Sequence, residues 1–201
     1  MRSSAEQHLK DDDRILQELE TSNRTEILLF SDRQAVYKTK VYDLHDGKAS
    51  GLGEYLNNLL GMEENERILY MAAANEYKGY MVFGFENGKA AKIAFEGYAT
   101  KTNRKKLINA YSGLSKVISM HWIPEDCDFV LSRGTDKIMV VNTSLISTNT
   151  SKSSSGMQVF SLKKNTILSS MCPVQETKLT AEEMEYYRVD KIPSAGHFWK
   201  D

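Results

Sequence analysis

Three similar pairs of apolar segments recur along the chain, and a short polar turn separates the two members of each pair. The pairs span residues 26–42, 79–95 and 128–141. In each pair an apolar run of strand length precedes a run in which apolar and polar residues alternate, which is typical of a β-hairpin. Asn87 and Gly88 lie at the turn of the second pair, and this dipeptide predicts a type I′ turn. The pattern therefore predicts three hairpins.

A further short apolar segment follows each hairpin and ends in methionine. These segments are residues 67–71, 116–120 and 166–171, so the methionines are 49 and 51 residues apart. A similar segment at 14–19 has no hairpin before it. Repeats of about 50 residues with several strands each are typical of propeller-like assemblies. We predict an all-β fold of about three to four blades that starts inside a blade; the alternative is a β-sandwich or barrel whose hairpins merely resemble one another.

The end of the chain has a different pattern. Thr180 precedes an amphipathic stretch and Glu183 follows three residues later, which predicts a capping box and one short helix. No regular element is predicted beyond Pro193. We therefore expect a repeat domain over residues 1–177 and a C-terminal helix with an irregular tail over 178–201. The polar stretch 145–155 is expected to form a flexible surface loop.

The distribution of charge changes the functional picture. The net charge is −1, which argues against a nucleic-acid partner. However, residues 87–164 contain twelve Lys/Arg and five Asp/Glu, a net +7 that leaves −8 for the remainder. This asymmetry indicates that one part of the molecule faces a polyanion.

The basic residues of the repeat loops and turns are the candidate phosphate contacts. The densest group lies in the loop of the second repeat, single lysines occupy the corresponding loops of the first and third repeats, and others lie at turns and strands. The alternative is that they are solvated, solubilising side chains. The candidate DNA-binding residues are Lys48, Lys101, Arg104, Lys105, Lys106, Arg133, Lys137, Lys152, Lys163 and Lys164.

The sequence offers no catalytic centre, metal site or cofactor motif. His121 and Cys127 are six residues apart, but no further cysteine pair or nucleophile motif accompanies them. We expect the two cysteines to be reduced thiols. The recurring tyrosines at 42, 55, 80, 98 and 111 are expected in the blade cores, and the acidic runs 11–13 and 63–66 are expected to be solvated charge.

The apolar runs are too short to cross a bilayer, and the first residues have no export signal. We therefore expect no membrane partner and a cytoplasmic location.

With the repeats in view, the chain resembles the C-terminal β-pinwheel domain of the A subunits of bacterial DNA gyrase and topoisomerase IV. The resemblance rests on EILLFSDRQAVYKTKVYDL at 26–44, KASGLG at 48–53 with YLNNLLGM at 55–62, and EENERI at 63–68. It extends over residues 11–171. The glycine- and arginine-rich heptapeptide with which gyrases wrap DNA is not visible, so the resemblance leaves gyrase and topoisomerase IV both open.

The resemblance implies blades that exchange a strand with their neighbours and a basic rim around which duplex DNA bends. It implies a non-catalytic, sequence-independent DNA-binding domain of an ATP-dependent type IIA topoisomerase. The implied partners are double-stranded DNA, the remainder of the A subunit, and the ATPase B subunit. We expect the isolated chain to be a monomer. The alternatives are a propeller-like protein–protein interaction module and, with no candidate constellation, an enzyme.

Overall fold

The computed structural model describes residues 14–47 and 53–200, which form two compact units. The first unit comprises residues up to 75 together with 103–107, and the second comprises 76–102 and 108 onwards. In chain order the strands are β1 (Glu26–Ser31), β2 (Val36–Lys40), β3 (Ile68–Ala74), β4 (Tyr80–Phe85), β5 (Lys89–Ala94), β6 (Lys106–Leu107), β7 (Val117–Ile123), β8 (Asp128–Arg133), β9 (Lys137–Asn142), β10 (Thr148–Asn149), β11 (Met157–Gln158), β12 (Ser170–Pro173) and β13 (His197–Phe198).

Helical structure is short. The α-helices are α1 (Leu56–Leu60) and α2 (Ala181–Tyr187), and the 3-10 helices are Val41–Asp43, Phe95–Tyr98, Thr143–Leu145 and Val174–Glu176. Three of these 3-10 helices directly follow β2, β5 and β9, which are the second strands of the three hairpins. The described part of the chain is therefore mainly β, as the apolar pattern predicts.

In the described residues the strands form three sheets with one recurring order. The first unit contains β3-β1-β2-β6, and the second contains β7-β4-β5-β11 and β12-β8-β9-β13. The two-residue strand β10 also pairs with β5, in parallel. In each sheet the hairpin and its closing strand supply three members, and the fourth comes from a later part of the chain. The predicted all-β repeat fold is confirmed.

The first strand of each hairpin is central in its sheet and buried on both faces. In β1 the residues from Ile27 to Ser31 are all buried, and β4 is buried from Met81 to Phe85. Strands covered on both faces have continuous apolar runs rather than alternation. This burial explains why the first segment of each predicted hairpin is the more uniformly apolar one.

Some predicted elements differ in the structure. Residues 14–19 form no strand, although the Gln17 side chain bonds the backbone of Met71 at both its oxygen and its nitrogen. The third closing strand begins only at Ser170: the Leu168 N–H donates to the Glu86 carbonyl in the turn of the second hairpin, and the Ser169 N–H donates to the Ser132 carbonyl in β8.

The turn of the second hairpin is also not of the predicted type. A type I′ turn needs positive φ at both central residues, and among the two only Gly88 has it, with φ of 78°. A three-residue loop joins Phe85 to Lys89, and the side chain of Asn87 accepts a hydrogen bond from the Lys89 N–H at 3.1 Å. The hairpin itself is confirmed.

The C-terminal helix and the tail pack on the third sheet. Thr180 and Glu183 form the predicted capping box, and Tyr187 of α2 packs against Val130, Ile138 and Val140. The prediction of no regular element beyond the helix is wrong, because β13 pairs with the first two residues of β9. The missed strand is only two residues long, which is too short for a sequence pattern.

Arg188, which follows α2, forms an ion pair with Asp128 at the start of β8. Its two terminal nitrogens donate to the Asp128 carboxylate at 3.0 and 2.8 Å. These hydrogen bonds lower the pKa of Asp128; burial acts in the opposite direction, and the amide of Asn142 adds to the lowering. The carboxylate therefore stabilises the fold in its ionised form.

Asp128→Asn is expected to lower the free energy of unfolding at pH 7 by about 1–2 kcal/mol, toward the lower end for a hydrogen bond to a charged group because both side chains are partly exposed. Because the folded-state pKa is lowered, this contribution is present above the ordinary aspartate pKa of about 3.9 and is lost as pH falls through the folded-state value. The difference in free energy of unfolding between the unchanged chain and Asp128→Asn, measured by urea unfolding, should therefore become smaller below about pH 4. An equal difference at pH 7 and pH 3 would contradict the stabilising role of the ionised Asp128 carboxylate.

Candidate nucleic-acid interface

The exchanged fourth strands fix the positions of most of the candidate basic residues. In β6 Leu107 pairs with Val36, and in β11 Gln158 pairs with Lys89; each partner is the first residue of the second hairpin strand. Counting back six residues from these positions gives Lys101 and Lys152. The register therefore places these two lysines at equivalent points of successive repeats.

In the first unit the basic residues lie along the edge strand β6 and the residues before it. Arg104 and Lys105 are exposed, and neither side chain bonds a carboxylate in the part of the chain that the structure describes. The carbonyl of Lys105 accepts a hydrogen bond from the Lys38 N–H at 2.8 Å, which fixes the backbone there. A sheet edge thus positions two cations whose charges are not neutralised.

A cleft of about 300 Å³ adjoins this edge. It is lined by Lys38, Lys40, Lys105, Asn103 and Tyr42, with Glu26, Thr39, Asp43, Leu59 and Leu60 completing its wall. Lys38 is buried and pairs with Glu26 at 3.3 Å. Lys40 is exposed, and its ammonium lies 5.5 Å from the centre of the Tyr42 ring. Lys40 was not predicted as a site residue, because its position at the end of a strand gives no loop signal.

Lys106 is held within the first unit. Its ammonium lies over the Tyr37 ring at 5.0 Å and 3.7 Å from the Glu63 carboxylate. The hydrogen bond with Tyr37 raises the pKa of Lys106 more than burial lowers it. The residue remains cationic, but an interaction with phosphate would compete with these contacts.

Glu66 corrects the expectation that the acidic run at 63–66 is solvated. It is 2% exposed, and its carboxylate accepts hydrogen bonds from the Ser31 hydroxyl, the Tyr37 hydroxyl and the Glu63 N–H. Burial raises the pKa of Glu66, but the three hydrogen bonds outweigh burial and lower it. Glu66 therefore joins β1 and β2 to the turn before β3. The other acidic run, 11–13, lies outside the described residues.

In the second unit one basic group lies beyond the end of β5. The side chain of Lys152 donates to the carbonyl of Gly97 at 3.2 Å, and Gly97 belongs to the 3-10 helix that follows β5. Lys101 comes three residues after this helix ends at Tyr98, and it is exposed. The predicted surface loop 145–155 carries Lys152 and includes β10, so it is more ordered than expected.

A second basic group lies at the opposite end of the same sheet. Lys163 and Lys164 are exposed in a loop whose flanks bond to the β4–β5 turn: Phe160 N–H donates to the Gly88 carbonyl, and Leu168 N–H donates to the Glu86 carbonyl. The six residues of β5, about 20 Å long at ~3.3 Å per residue, lie between the 3-10 helix before Lys101 and the turn that the Lys163 loop contacts.

Two other predicted cations, Arg133 and Lys137, already have partners within the fold. Arg133 is 8% exposed and its Nε donates to Asp136 at 3.2 Å. Lys137 donates to the Gly196 carbonyl at 3.2 Å and lies 3.5 Å from the centre of the Phe198 ring. Lys48 lies outside the described residues.

The local excess of positive charge is smaller than the sequence indicates. Lys92, which counts toward the +7, is 4% exposed and donates to Asp126 at 2.8 Å and to the Thr143 carbonyl at 2.9 Å. Lys116 pairs with Glu86 at 3.1 Å. Five predicted cations thus remain exposed without a carboxylate partner in the described chain: Lys101, Arg104, Lys105, Lys163 and Lys164.

The tyrosines divide into two groups. Tyr98 and Tyr111 are core residues, as predicted, at 0% and 2% exposure, and Tyr80 is half-buried beneath Lys92. Tyr42 and Tyr55 are 59% and 68% exposed, so the core prediction is wrong for them. Both lie outside strands, Tyr42 in a 3-10 helix and Tyr55 just before α1.

Residues 14–47 and 53–200 contain no cluster of three or more His, Cys, Asp or Glu side chains that could hold a metal ion. Burial lowers the pKa of His121 more than the nearby Glu176 raises it, and burial raises the pKa of the Cys127 thiol. In the same residues no helix is long and apolar enough to cross a membrane.

Comparison with known proteins shows which solved structures share this fold. No protein-family model matches the chain. Among solved structures, the C-terminal domain of DNA topoisomerase IV aligns over 84% of this chain and 53% of its own, with a TM-score of 0.71 and 22% identity. The chain thus has the β-pinwheel fold of the C-terminal domains of DNA topoisomerase IV and DNA gyrase A.

The sequence relatives agree with this class. The DNA gyrase A subunit of Fibrobacter succinogenes is 30% identical over 106 residues, which are 52% of this chain and 12% of that protein. The DNA topoisomerase 4 A subunit of Bacillus subtilis is 25% identical over 116 residues, 56% of this chain and 14% of that protein. The homologues of this chain are therefore gyrase and topoisomerase IV A subunits, and it spans about an eighth of their length.

Proposed function

We propose that this chain binds duplex DNA without sequence preference, through exposed Lys and Arg side chains. These side chains lie in loops and in the exchange segments, which are the stretches that end in the fourth strands β6, β11 and β13. The observation that carries the proposal is that five of the predicted cations, Lys101, Arg104, Lys105, Lys163 and Lys164, are exposed without a carboxylate partner in the described residues. Lysine and arginine at loops and sheet edges neutralise phosphates but carry no direct information about bases. The kinship with gyrase and topoisomerase IV A subunits supports the same function.

The spacing of the cations in the second unit supports bending of the duplex. Lys101 follows the 3-10 helix beyond the end of β5, whereas Lys163 and Lys164 lie in the loop that contacts the turn before β5, so the length of β5, about 20 Å, lies between those two points. A duplex that contacts both groups must cross the sheet, and further contacts are gained if it curves toward the surface. Bending costs deformation energy that the added phosphate contacts offset.

We propose further that the domain positions DNA within a type IIA topoisomerase, whose ATP-driven strand passage belongs to other parts of the enzyme. Its partners would then be DNA, the remainder of an A subunit, and the ATPase B subunit. The chemistry of the described residues agrees with a positioning role, because three carboxylates whose pKa values are lowered, Glu66, Asp126 and Asp128, are engaged in ion pairs and hydrogen bonds of the fold. The division between a repeat domain at 1–177 and a tail at 178–201 stays a prediction.

Sequence independence and bending can be tested together. Two duplexes of equal length and unrelated sequence, each with a donor and an acceptor dye at its ends, are titrated with the protein. We expect affinities that agree within about threefold, since phosphate contacts dominate, and energy transfer that rises on binding. A preference of tenfold or more for one sequence would contradict the proposal, and unchanged energy transfer would contradict bending. Absence of binding would favour the protein-interaction module instead.

A further inference from the structure

The fourth strands of the three sheets enter in one common register. Leu107, Gln158 and Phe198 each pair with the first residue of the second hairpin strand, which is Val36, Lys89 or Lys137. The first two of these strands come from the loop of the next repeat, and the third comes from the C-terminal tail. The tail therefore occupies the place that a following repeat would fill.

Two of these segments share a glycine at the same point. Gly156 and Gly196 each lie two residues before the pairing position, with φ of 68° and 67°. A Cβ at Gly156 would meet the Ala90 carbonyl oxygen at 2.0 Å, and one at Gly196 would meet the Ile138 carbonyl oxygen at 2.8 Å. The left-handed glycine thus marks where an exchange segment presses against its acceptor strand.

The first repeat carries the same feature without an acceptor. Gly53 has φ of 67°, and Glu54 and Tyr55 follow it before α1 begins. No atom lies within 4 Å of the position where a Cβ of Gly53 would stand, and in the described residues 53–55 pair with no strand. Segment 53–55 therefore shares the left-handed glycine of an exchange segment and has an extended Tyr55, with φ of −82° and ψ of 101°, yet it pairs with no strand among the described residues.

The side chain of Tyr55 in segment 53–55 is suited to the edge of β9. At the pairing position the tail places Phe198, whose ring lies 3.5 Å from the ammonium of Lys137. Segment 53–55 would place Tyr55 there, and tyrosine offers a lysine the same cation–π contact. Tyr55 is 68% exposed. The corresponding residues of the other two exchange segments, Leu107 and Gln158, are not aromatic, so β9 is the acceptor edge that Tyr55 fits.

We propose that the tail caps the β9 edge, and that without this cap the edge pairs with segment 53–55 of a second copy of this chain. Such a contact joins different surfaces of two copies, so it is head-to-tail and can continue into longer assemblies. An uncovered strand edge is a template for this pairing. The tail prevents the pairing of β9 with a second copy because it competes for the same edge. It belongs to the same chain, so its effective concentration at that edge is in the millimolar range.

Several contacts hold the cap. The Lys137 side chain donates to the Gly196 carbonyl, the Ser161 N–H donates to the Ser194 carbonyl at 2.7 Å, and the Lys200 N–H donates to the Tyr187 hydroxyl at 2.9 Å. The intact chain should therefore remain a monomer, in agreement with the prediction from sequence.

The test is sedimentation of the chain lacking residues 192–201, over a concentration series, beside the intact chain. We expect the truncated chain to form dimers and larger species as its concentration rises, while the intact chain stays monomeric. Adding Gly53→Val to the truncated chain should restore the monomer, because valine disfavours positive φ. Gly47→Val is the matched control: it has open space around it and no positive φ, so it should leave the assembly unchanged.

Circular dichroism first establishes that each variant is folded. Should the truncated chain unfold, Gly196→Val in the full-length chain displaces the tail segment from β9 and is compared with the intact chain in the same way. A folded variant with the cap displaced that stays monomeric throughout would overturn the proposal. Assembly that Gly53→Val leaves intact would overturn the role of segment 53–55.

Discussion

Gly156→Ala is expected to lower the free energy of unfolding by about 3 kcal/mol or more, from positive-φ strain together with steric overlap. Gly156 has φ of 68°, a region that costs an L-residue energy. The added Cβ would also stand 2.0 Å from the Ala90 carbonyl oxygen and 2.7 Å from the Cα of Ala91. Both neighbours are backbone atoms of β5, so relief requires the exchange segment to move away from the second sheet. Urea unfolding followed by circular dichroism measures the loss.

Gly134→Ala separates the two causes. Gly134 has φ of 55°, but no atom lies within 4 Å of its Cβ position, so the variant carries the conformational cost alone. We expect about 1 kcal/mol for this control, the usual cost of the left-handed region. If Gly156→Ala and Gly134→Ala lowered the free energy of unfolding equally, steric overlap with β5 would not contribute to the loss at Gly156. The close packing of this exchange segment on β5 would then be contradicted.

Changing Arg104 and Lys105 together to Glu is expected to weaken duplex binding about 10- to 100-fold at moderate salt, and by a similar factor for every sequence. The two side chains are exposed and lack a carboxylate partner in the described residues, so their charge is available to phosphates. The change removes two contacts and adds repulsion. The slope of log affinity against log salt should become shallower by about two. Lys106 is left unchanged because a carboxylate there would lie beside Glu63 and Glu66.

Lys178→Glu with Lys191→Glu is the matched control. Both residues are exposed, and the pair changes the net charge by the same amount outside the exchange segments and their loops. Fluorescence anisotropy with a labelled duplex should give an affinity within about threefold of the unchanged chain, since neither residue belongs to the proposed interface. If both double variants lowered the affinity for DNA equally, net charge alone would govern binding. The proposal that β6 forms part of the interface would then be wrong.

The elements that the sequence predicted are those with local signals. Three hairpins with a closing strand each were predicted, because a buried central strand such as β1 needs a continuous apolar run. The capping box of Thr180 is equally local. The exchanged strands β6, β11 and β13 were not predicted as elements, because two residues carry no periodicity and their partners lie far away in sequence. Positive φ at Gly156 and Gly196 marks such strands only once the pairing is known.

The candidate interface was predicted from the distribution of charge, and charge does not show burial. Lys92 and Arg133 count toward the basic segment, yet both are buried and paired with an aspartate. Sequence also could not separate Glu66, a buried hydrogen-bonded carboxylate, from its solvated neighbours. Conversely, Lys40 was missed because only the fold brings it to the cleft beside Lys105. Which cations have no carboxylate partner in the described chain is a tertiary property.

The most direct test of the account is the affinity of the chain for a labelled random-sequence duplex over a series of salt concentrations. If the five exposed cations provide the contacts, log affinity should fall linearly with log salt, with a slope of about −2 to −5, near −0.9 for each phosphate neutralised. Binding that does not change with salt, or no binding even at low salt, would contradict a phosphate-contacting interface.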